Sequence, residues 1–346
     1  MPDRHAFDTL IDARSPAEFA IDHIPGAINC PVLNDEERRI VGTIYKQRGA
    51  FEARRVGGAM VAQNLAHHLR EHFADRPAKW KPLVYCWRGG LRSGSMVNWL
   101  RLVGWDAQQL ADGYKSWRRY VIDTLETLAP RLPLRVLCGP TGSAKTRVLA
   151  ALAERGAQVL DLEACARHRG SVLGAWPGGV AQPAQTAFET AIVQVLEGID
   201  LGRPLYVEAE SSRIGRLAVP PVLVARLRAS PCIEIQAAES ARLAYLLHDY
   251  AHLGDDPAWL AERLGGFKEL HGRETVALWQ QWAAERALEP LFADLMRRHY
   301  DPLYARSQRA YLYQWAERRG VPAGDLSTDA VDALAERILA DEAGHE

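Results

Sequence analysis

Short apolar runs closed by turn residues, each followed by a stretch with helical spacing, recur along the chain. In the first third such runs end at Ile11 and Tyr85, and amphipathic stretches occupy 61–73 and 94–103. A strand buried on both faces reads as a continuous apolar run and its covering helix as a stripe, so this alternation predicts an α/β layer fold. Ala129-Pro130-Arg131-Leu132-Pro133 then interrupts the pattern with two prolines and is read as a linker. The pattern restarts in 134–138, a compact apolar strand that runs into a glycine-rich loop at 139–146 and then into helical spacing at 148–155. Further strand candidates at 158–160, 205–207 and 233–235 are separated by segments long enough for crossover helices, which predicts a parallel sheet. From about Pro257 onward the spacing is helical, with Trp279, Trp282, Tyr300, Tyr304, Tyr311, Tyr313 and Trp315 expected mostly in packing. The predicted organisation is an α/β domain over 1–128, a linker over 129–133, a second α/β domain over 134–256 and a helical C-terminal extension over 257–346.

Composition adds exclusions. The 346 residues carry 42 basic and 43 acidic side chains, which excludes a histone-like polyanion binder but not a local basic face. The five cysteines, Cys30, Cys86, Cys138, Cys165 and Cys232, are odd in number and widely spaced. That fits free thiols in a reducing compartment better than a disulfide framework or a zinc site. No apolar run approaches the ~20 residues of a membrane helix, and the first ten residues do not resemble a signal peptide. A cytoplasmic protein without membrane contact is expected.

The loop Gly139-Pro140-Thr141-Gly142-Ser143-Ala144-Lys145-Thr146 matches G-x-x-x-x-G-K-[ST] except at Ala144. Between a buried strand and a helix, its backbone N–H groups converge on an anion, while a lysine adds a point charge and a hydroxyl holds a metal ion. Gly139, Thr141, Gly142, Ser143, Ala144, Lys145 and Thr146 are therefore diphosphate-binding candidates. Ala144 is expected to keep negative φ, because its methyl sits where backbone meets phosphate. The loop recognises a diphosphate and does not by itself specify a nucleotide. Asp161 and Glu163 follow one strand candidate, and Glu208 and Glu210 end another. Glu208 is the preferred partner of Thr146 for Mg²⁺, the competing reading for each carboxylate being a solvated loop side chain.

The other loop is Cys86-Trp87-Arg88-Gly89-Gly90-Leu91-Arg92, between the apolar run at 83–85 and a helix expected near Ser93. A thiol at a strand end, glycines and a helix N-terminus make an anion cradle that favours the thiolate, so Cys86 is the candidate nucleophile. Arg88, Gly89, Gly90 and Arg92 are the candidate anion ligands.

With Ile11-Asp12-Ala13-Arg14, Glu18-Phe19 and His23-Ile24-Pro25-Gly26-Ala27-Ile28-Asn29, this loop resembles the rhodanese domain, whose cysteine carries a transferable sulfur. Five residues separate Cys86 from Arg92, where rhodanese loops commonly have four, so a larger pocket and a phosphate-derived donor are expected. Val41-Gly42-Thr43-Ile44-Tyr45-Lys46-Gln47, Gly113-Tyr114-Lys115, His168-Arg169-Gly170-Ser171, Gln182-Pro183 with Gln185, Phe188-Glu189, and Glu208-Ala209-Glu210-Ser211 through Ile214-Gly215 extend the likeness. Together with both loops they resemble the tRNA 2-selenouridine synthase family, and Tyr300-Asp301-Pro302 with Tyr304 extends the match less specifically. Departures are Ala144 for Gly, and Ala209-Glu210-Ser211-Ser212-Arg213, where Asp at 209 and one serine fewer are expected.

The resemblance implies a rhodanese-like domain followed by a P-loop NTPase-like parallel-sheet domain. It also implies a two-step change of the wobble uridine in tRNA carrying 2-thiouridine: geranylation of sulfur with geranyl diphosphate, then replacement of the S-geranyl group by selenium from selenophosphate. Lys145 would be catalytic in the first step, with Mg²⁺ on Thr146. Cys86 would be catalytic in the second, either carrying selenium or positioning selenophosphate with Arg92. No tightly bound organic cofactor is expected. His168, Arg169 and Ser171 are further candidates for the diphosphate or the RNA backbone. Arg297, Arg298, Arg306, Arg309, Arg318 and Arg319, interleaved with Tyr304, Tyr311 and Tyr313, read either as an ordinary amphipathic face or as an RNA contact. Two other functions compete: an ATP-dependent sulfurtransferase or kinase with a fused sulfur carrier, and a nucleotide-switched binding module.

Overall fold

The computed structural model describes residues 6–170, 173 and 180–343. They form two compact units, Met1–Thr124 with Ala184–Gln194, and Leu125–Pro183 with Val195–Glu346.

The first unit is built on a parallel sheet of order β2-β1-β3-β4, with β1 at Thr9–Asp12, β2 at Ala27–Asn29, β3 at Pro82–Tyr85 and β4 at Gln108–Gln109. The apolar runs ending at Ile11 and Tyr85 are its two central strands. In register, Asp12 faces Tyr85, so the strand ends bearing Asp12 and Cys86 lie side by side. The amphipathic stretches 61–73 and 94–103 fall largely within helices Ala50–Glu71 and Leu91–Val103. Ile11, Val84, Phe73, Trp80, Met96 and Leu100 pack into one core. Residues 184–194, which chain order places inside the 134–256 span, belong to this unit. In helix Gln185–Leu196, the Thr190 hydroxyl accepts from Trp117 Nε1 at 3.3 Å and donates to Asp22 at 3.1 Å, while Glu189 pairs with Arg118.

The second unit has a five-stranded parallel sheet of order β11-β10-β5-β7-β6. Here β5 is Leu134–Cys138, β6 Gln158–Leu160 and β7 Leu205–Glu208; β8 (Arg213–Ile214) and β9 (Leu217–Ala218) form a separate hairpin, β10 is Cys232–Gln236 and β11 Arg319–Pro322. The segment 129–133 carries a 3-10 turn at Ala129–Arg131, with Ala129 and Leu132 buried.

The helical reading of 257–346 holds for most of that span but misses β11. Arg319-Gly320-Val321-Pro322 buries only Val321 and ends in proline, so it has no apolar run to betray it. It is an edge strand beside β10, with Ile233 facing Arg319. The helix after it, Thr328–Ala343, buries Val331, Leu334 and Ile338 against Val148 and Leu152 of the helix that leaves the phosphate loop. The C-terminal segment thus completes the P-loop sheet rather than appending to it. Helices Pro257–Leu264, Lys268–Ala284 and Leu288–Leu295 share a second core around Leu260, Phe267, Trp279 and Leu291. Among the described residues, no helix is long and apolar enough to cross a membrane.

Candidate functional site

The phosphate loop leaves the central strand β5 and enters helix Lys145–Glu154. Gly142 has φ +78°, and a Cβ there would lie 2.9 Å from Leu246 and 3.0 Å from the Arg242 carbonyl, so the loop tolerates no side chain at this point. Ala144 corrects the expectation of negative φ. It sits at +58°, in the left-handed region, as the residue that turns the loop into the helix. Left-handed backbone costs a non-glycine residue roughly 1–2 kcal/mol. Ala144→Gly removes that strain and loses one buried methyl, worth about 0.8 kcal/mol. Its urea midpoint should therefore stay near the parent's, whereas Ala144→Val, β-branched at positive φ, should lower it clearly. A valine variant as stable as the parent would contradict this backbone.

Lys145 is buried, at 8% exposure, and its ammonium donates to the Gly139 and Pro140 carbonyls at 3.2 and 3.4 Å. It also lies 5.0 Å from the centre of the Tyr304 ring. Around it, Thr141 Oγ1, Ser143 Oγ and Glu208 Oε1 are buried with no hydrogen-bond partner among the described residues. Unpaired buried polar atoms are costly, and a polyoxygen anion with its counter-ion is the class of ligand that would satisfy them.

Glu208 ends β7 opposite Leu137 of β5, which sets its carboxylate beside the loop, and it is hydrogen-bonded to Thr146. Burial raises the pKa of Glu208. Burial, then the nearby Glu208 and Glu210, pushes Glu163 up to about 9, while Lys145 opposes the shift. Burial and Glu208 push Glu210 up to about 8. Three carboxyl groups thus face one ammonium, an imbalance that a divalent cation would relieve. Thr146 with the free oxygen of Glu208 suits Mg²⁺, which takes one or two carboxylates and keeps its waters. Among the described residues no group of three or more His, Cys, Asp or Glu side chains is arranged to hold a metal, so such an ion would draw its remaining ligands from water and phosphate oxygens.

The other candidates near this loop divide. Asp161 caps helix Leu162–Ala166 by accepting from the Ala164 N–H at 2.8 Å. Arg169 lines the cavity, but its charge is met by Asp249 at 2.9 Å and by the Tyr250 ring. His168 accepts from the Gly170 N–H at 3.1 Å, and burial lowers its pKa. Ser171 lies outside the described residues.

Loop residues 141–146, with Glu163, Glu208 and Glu210, open onto a cavity of about 680 Å³. Apolar side chains line much of it: Leu246, Leu253, Phe292, Leu295 and Met296, which belong to the second core, and Val224, Leu227 and Leu312. Periodicity shows these positions only as core. Tyr304 and Tyr311 also line the cavity; the Tyr304 ring meets Lys145, and Tyr311, half exposed, carries the Arg228 guanidinium on its ring. Of the arginines read with them, Arg297, Arg298, Arg318 and Arg319 are paired with Glu239, Asp294, Glu234 and Asp341.

In the first unit Cys86 is buried at the end of β3. Its sulfur accepts from the Gly90 N–H at 3.3 Å and the Ser93 hydroxyl at 3.1 Å, while Gln109 Nε2 ties down Gly89 O, Gly90 O and Ser93 Oγ. Gly113 presses on the same loop: a Cβ there would lie 2.2 Å from the Cys86 carbonyl. Arg92, the expected oxyanion ligand, is paired with Glu18. Burial disfavours a charged Glu18, and the guanidinium overrides it, holding the carboxyl below its usual range. Arg88 is exposed. Beneath the loop, Arg14 forms a buried pair with Asp12, donates to the Asp22 carbonyl at 2.7 Å, and stacks on Tyr114, whose N–H donates to the Cys86 carbonyl at 2.8 Å.

Comparison with known proteins finds relatives of both domains. A rhodanese-like domain model matches residues 1–120, and a model of the tRNA 2-selenouridine synthase AAA domain matches residues 132–262. The tRNA 2-selenouridine synthase of Nitrosomonas europaea is 38% identical over 245 residues, 70% of this chain and 63% of that protein. Those of Alcanivorax borkumensis and Cupriavidus necator are 34% identical over 85% of this chain and 88% of the relative, and 36% identical over 89% and 93%. The chain belongs to the tRNA 2-selenouridine synthase family of tRNA-modifying enzymes.

Proposed function

We propose that the enzyme converts 2-thiouridine at the wobble position of tRNA to 2-selenouridine in two transfers, with geranyl diphosphate as the first donor and selenophosphate as the second. The observation that carries the first transfer is a single cavity of about 680 Å³ lined by the phosphate loop and by apolar side chains. A prenyl diphosphate has the same two halves. The thiocarbonyl sulfur forms the S–C1 bond, the C1–O pair leaves with diphosphate, and the N3 proton is lost to water. Lys145 and the loop N–H groups offset the charge developing on the leaving oxygen. Mg²⁺ held by Thr146 and Glu208 would supply further charge to the departing diphosphate.

In the second transfer selenium adds at C2 and the C2–S bond breaks, expelling geranylthiol. Water takes the phosphoryl group, and N3 is protonated again. Cys86, with the Gly90 and Ser93 donors beside it, serves this step either as selenium carrier or as part of the selenophosphate site. Five unpaired cysteines are in keeping with a reducing cytoplasm.

The test is nucleoside mass spectrometry of 2-thiouridine-containing tRNA after incubation with the purified protein and geranyl diphosphate, with and without selenophosphate. The expected result is a geranyl mass that converts to the selenouridine mass. ATP-dependent sulfur chemistry and no geranyl product from folded protein would replace this reading.

A further inference from the structure

The motif Tyr300-Asp301-Pro302 with Tyr304 has no part in the two transfers as written, yet it is anchored to the phosphate loop. Asp301 takes both Nη atoms of Arg242 at 2.9 Å, and Arg242, 6% exposed, also donates to the Thr141 carbonyl at 2.9 Å. Further along helix Asp301–Tyr311, Gln308 donates to the Gly139 carbonyl at 3.3 Å. The helix is therefore bolted to the loop at two points, and Tyr304, between them, turns its ring face to Lys145 at 5.0 Å.

A bound allylic diphosphate puts its oxygens where Lys145 can reach them. The reacting carbon is bonded to one of those oxygens, and the ring that faces the ammonium lines the same cavity. As the C1–O bond breaks ahead of S–C1 formation, positive charge grows on the allylic carbons, and an aromatic face attracts it. We propose that Tyr304 is a catalytic residue of the geranyl-transfer step, its ring stabilising the allylic cation that develops as diphosphate leaves. The assignment rests on the geranylation reading. Two features of the site suit the role. The electron pair stays on diphosphate, so the ring needs no covalent part. Burial, then Glu210, Glu208 and Glu163, raises the pKa of the Tyr304 hydroxyl far above the ordinary phenol value, so the side chain remains a neutral phenol and does not compete with sulfur for the prenyl group.

The experiment is single-turnover geranylation of 2-thiouridine-containing tRNA, with the affinity for inorganic diphosphate measured alongside. Tyr304→Phe keeps the ring and should react within about threefold of the parent, whereas Tyr304→Leu should slow the step about 30-fold at saturating geranyl diphosphate with diphosphate affinity unchanged. Phenylalanines carrying one, two and three ring fluorines at 304 preserve the volume and should lower the rate progressively as the face loses electron density. A flat fluorine series overturns the assignment, as does a leucine variant whose entire loss is in diphosphate affinity, which would leave Tyr304 only as a support for Lys145. If the parent enzyme itself forms no geranylated nucleoside, the geranylation reading falls, and this assignment with it.

Discussion

Lys145→Ala is expected to lower geranyl transfer by roughly 10²–10³-fold, the scale seen when one preorganised electrostatic group is removed from an active site. The same variant should still convert tRNA that has been geranylated beforehand into the selenouridine form. The size of the effect follows from isolation: Lys145 is the ammonium buried among Glu163, Glu208 and Glu210, and the nearby Arg169 is already paired with Asp249. Cys86→Ala should give the converse, a full geranylation rate with S-geranyl tRNA accumulating and no selenium incorporated. Nucleoside mass spectrometry of both variants on both tRNA substrates separates the steps. Loss of geranylation alone in a folded Cys86→Ala protein would reverse the division of labour, and equal loss of both steps in Lys145→Ala would dissolve it.

Arg14→Met is expected to destabilise the first unit by about 3–5 kcal/mol, because it leaves a buried carboxylate without its partner. Asp12 and Arg14 are 0% and 2% exposed, the guanidinium contacts two Asp12 oxygens, and the same group braces Tyr114 under the Cys86 carbonyl. The exposed Arg39 and Glu36 pair offers the contrast, since water already screens it and breaking it should leave the urea midpoint essentially unchanged. Replacing both buried partners, Asp12→Leu with Arg14→Met, should recover much of the loss, since no lone charge remains. Urea unfolding followed by tryptophan fluorescence measures all three. A single Arg14→Met variant within 1 kcal/mol of the parent would show that the pair contributes little.

The two candidate loops are legible in the sequence. The strands that feed them, at 83–85 and 134–138, are mostly apolar because they are largely buried, and the two loops announce themselves by glycines beside a lysine and beside a thiol. What escaped is of three physical kinds. Strands β2 and β4 have three and two residues and β11 buries only Val321, too little for any apolar period. The positive φ of Ala144 is a backbone property that an alanine does not signal. Partners distant in sequence are invisible to local patterns: Glu18 occupies Arg92, Asp301 reaches Arg242, and Tyr304 meets Lys145. Family likeness marked Tyr300-Asp301-Pro302, but only the fold gives that segment its place against the loop.

The late position of β11 also orders events on the ribosome. Strand β10 gains its second neighbour only when residues 319–322 have been made, after the helices of 257–311, and the cover of Val148 and Leu152 waits for Val331, Leu334 and Ile338. Until then a nascent chain displays a row of unpaired backbone groups and a bare apolar patch, the combination that invites association with other unfinished chains. A polypeptide released before residue 319 would therefore carry every residue of the phosphate loop on a sheet with an open edge, and quality control would meet it as an aggregating fragment rather than a weakened enzyme.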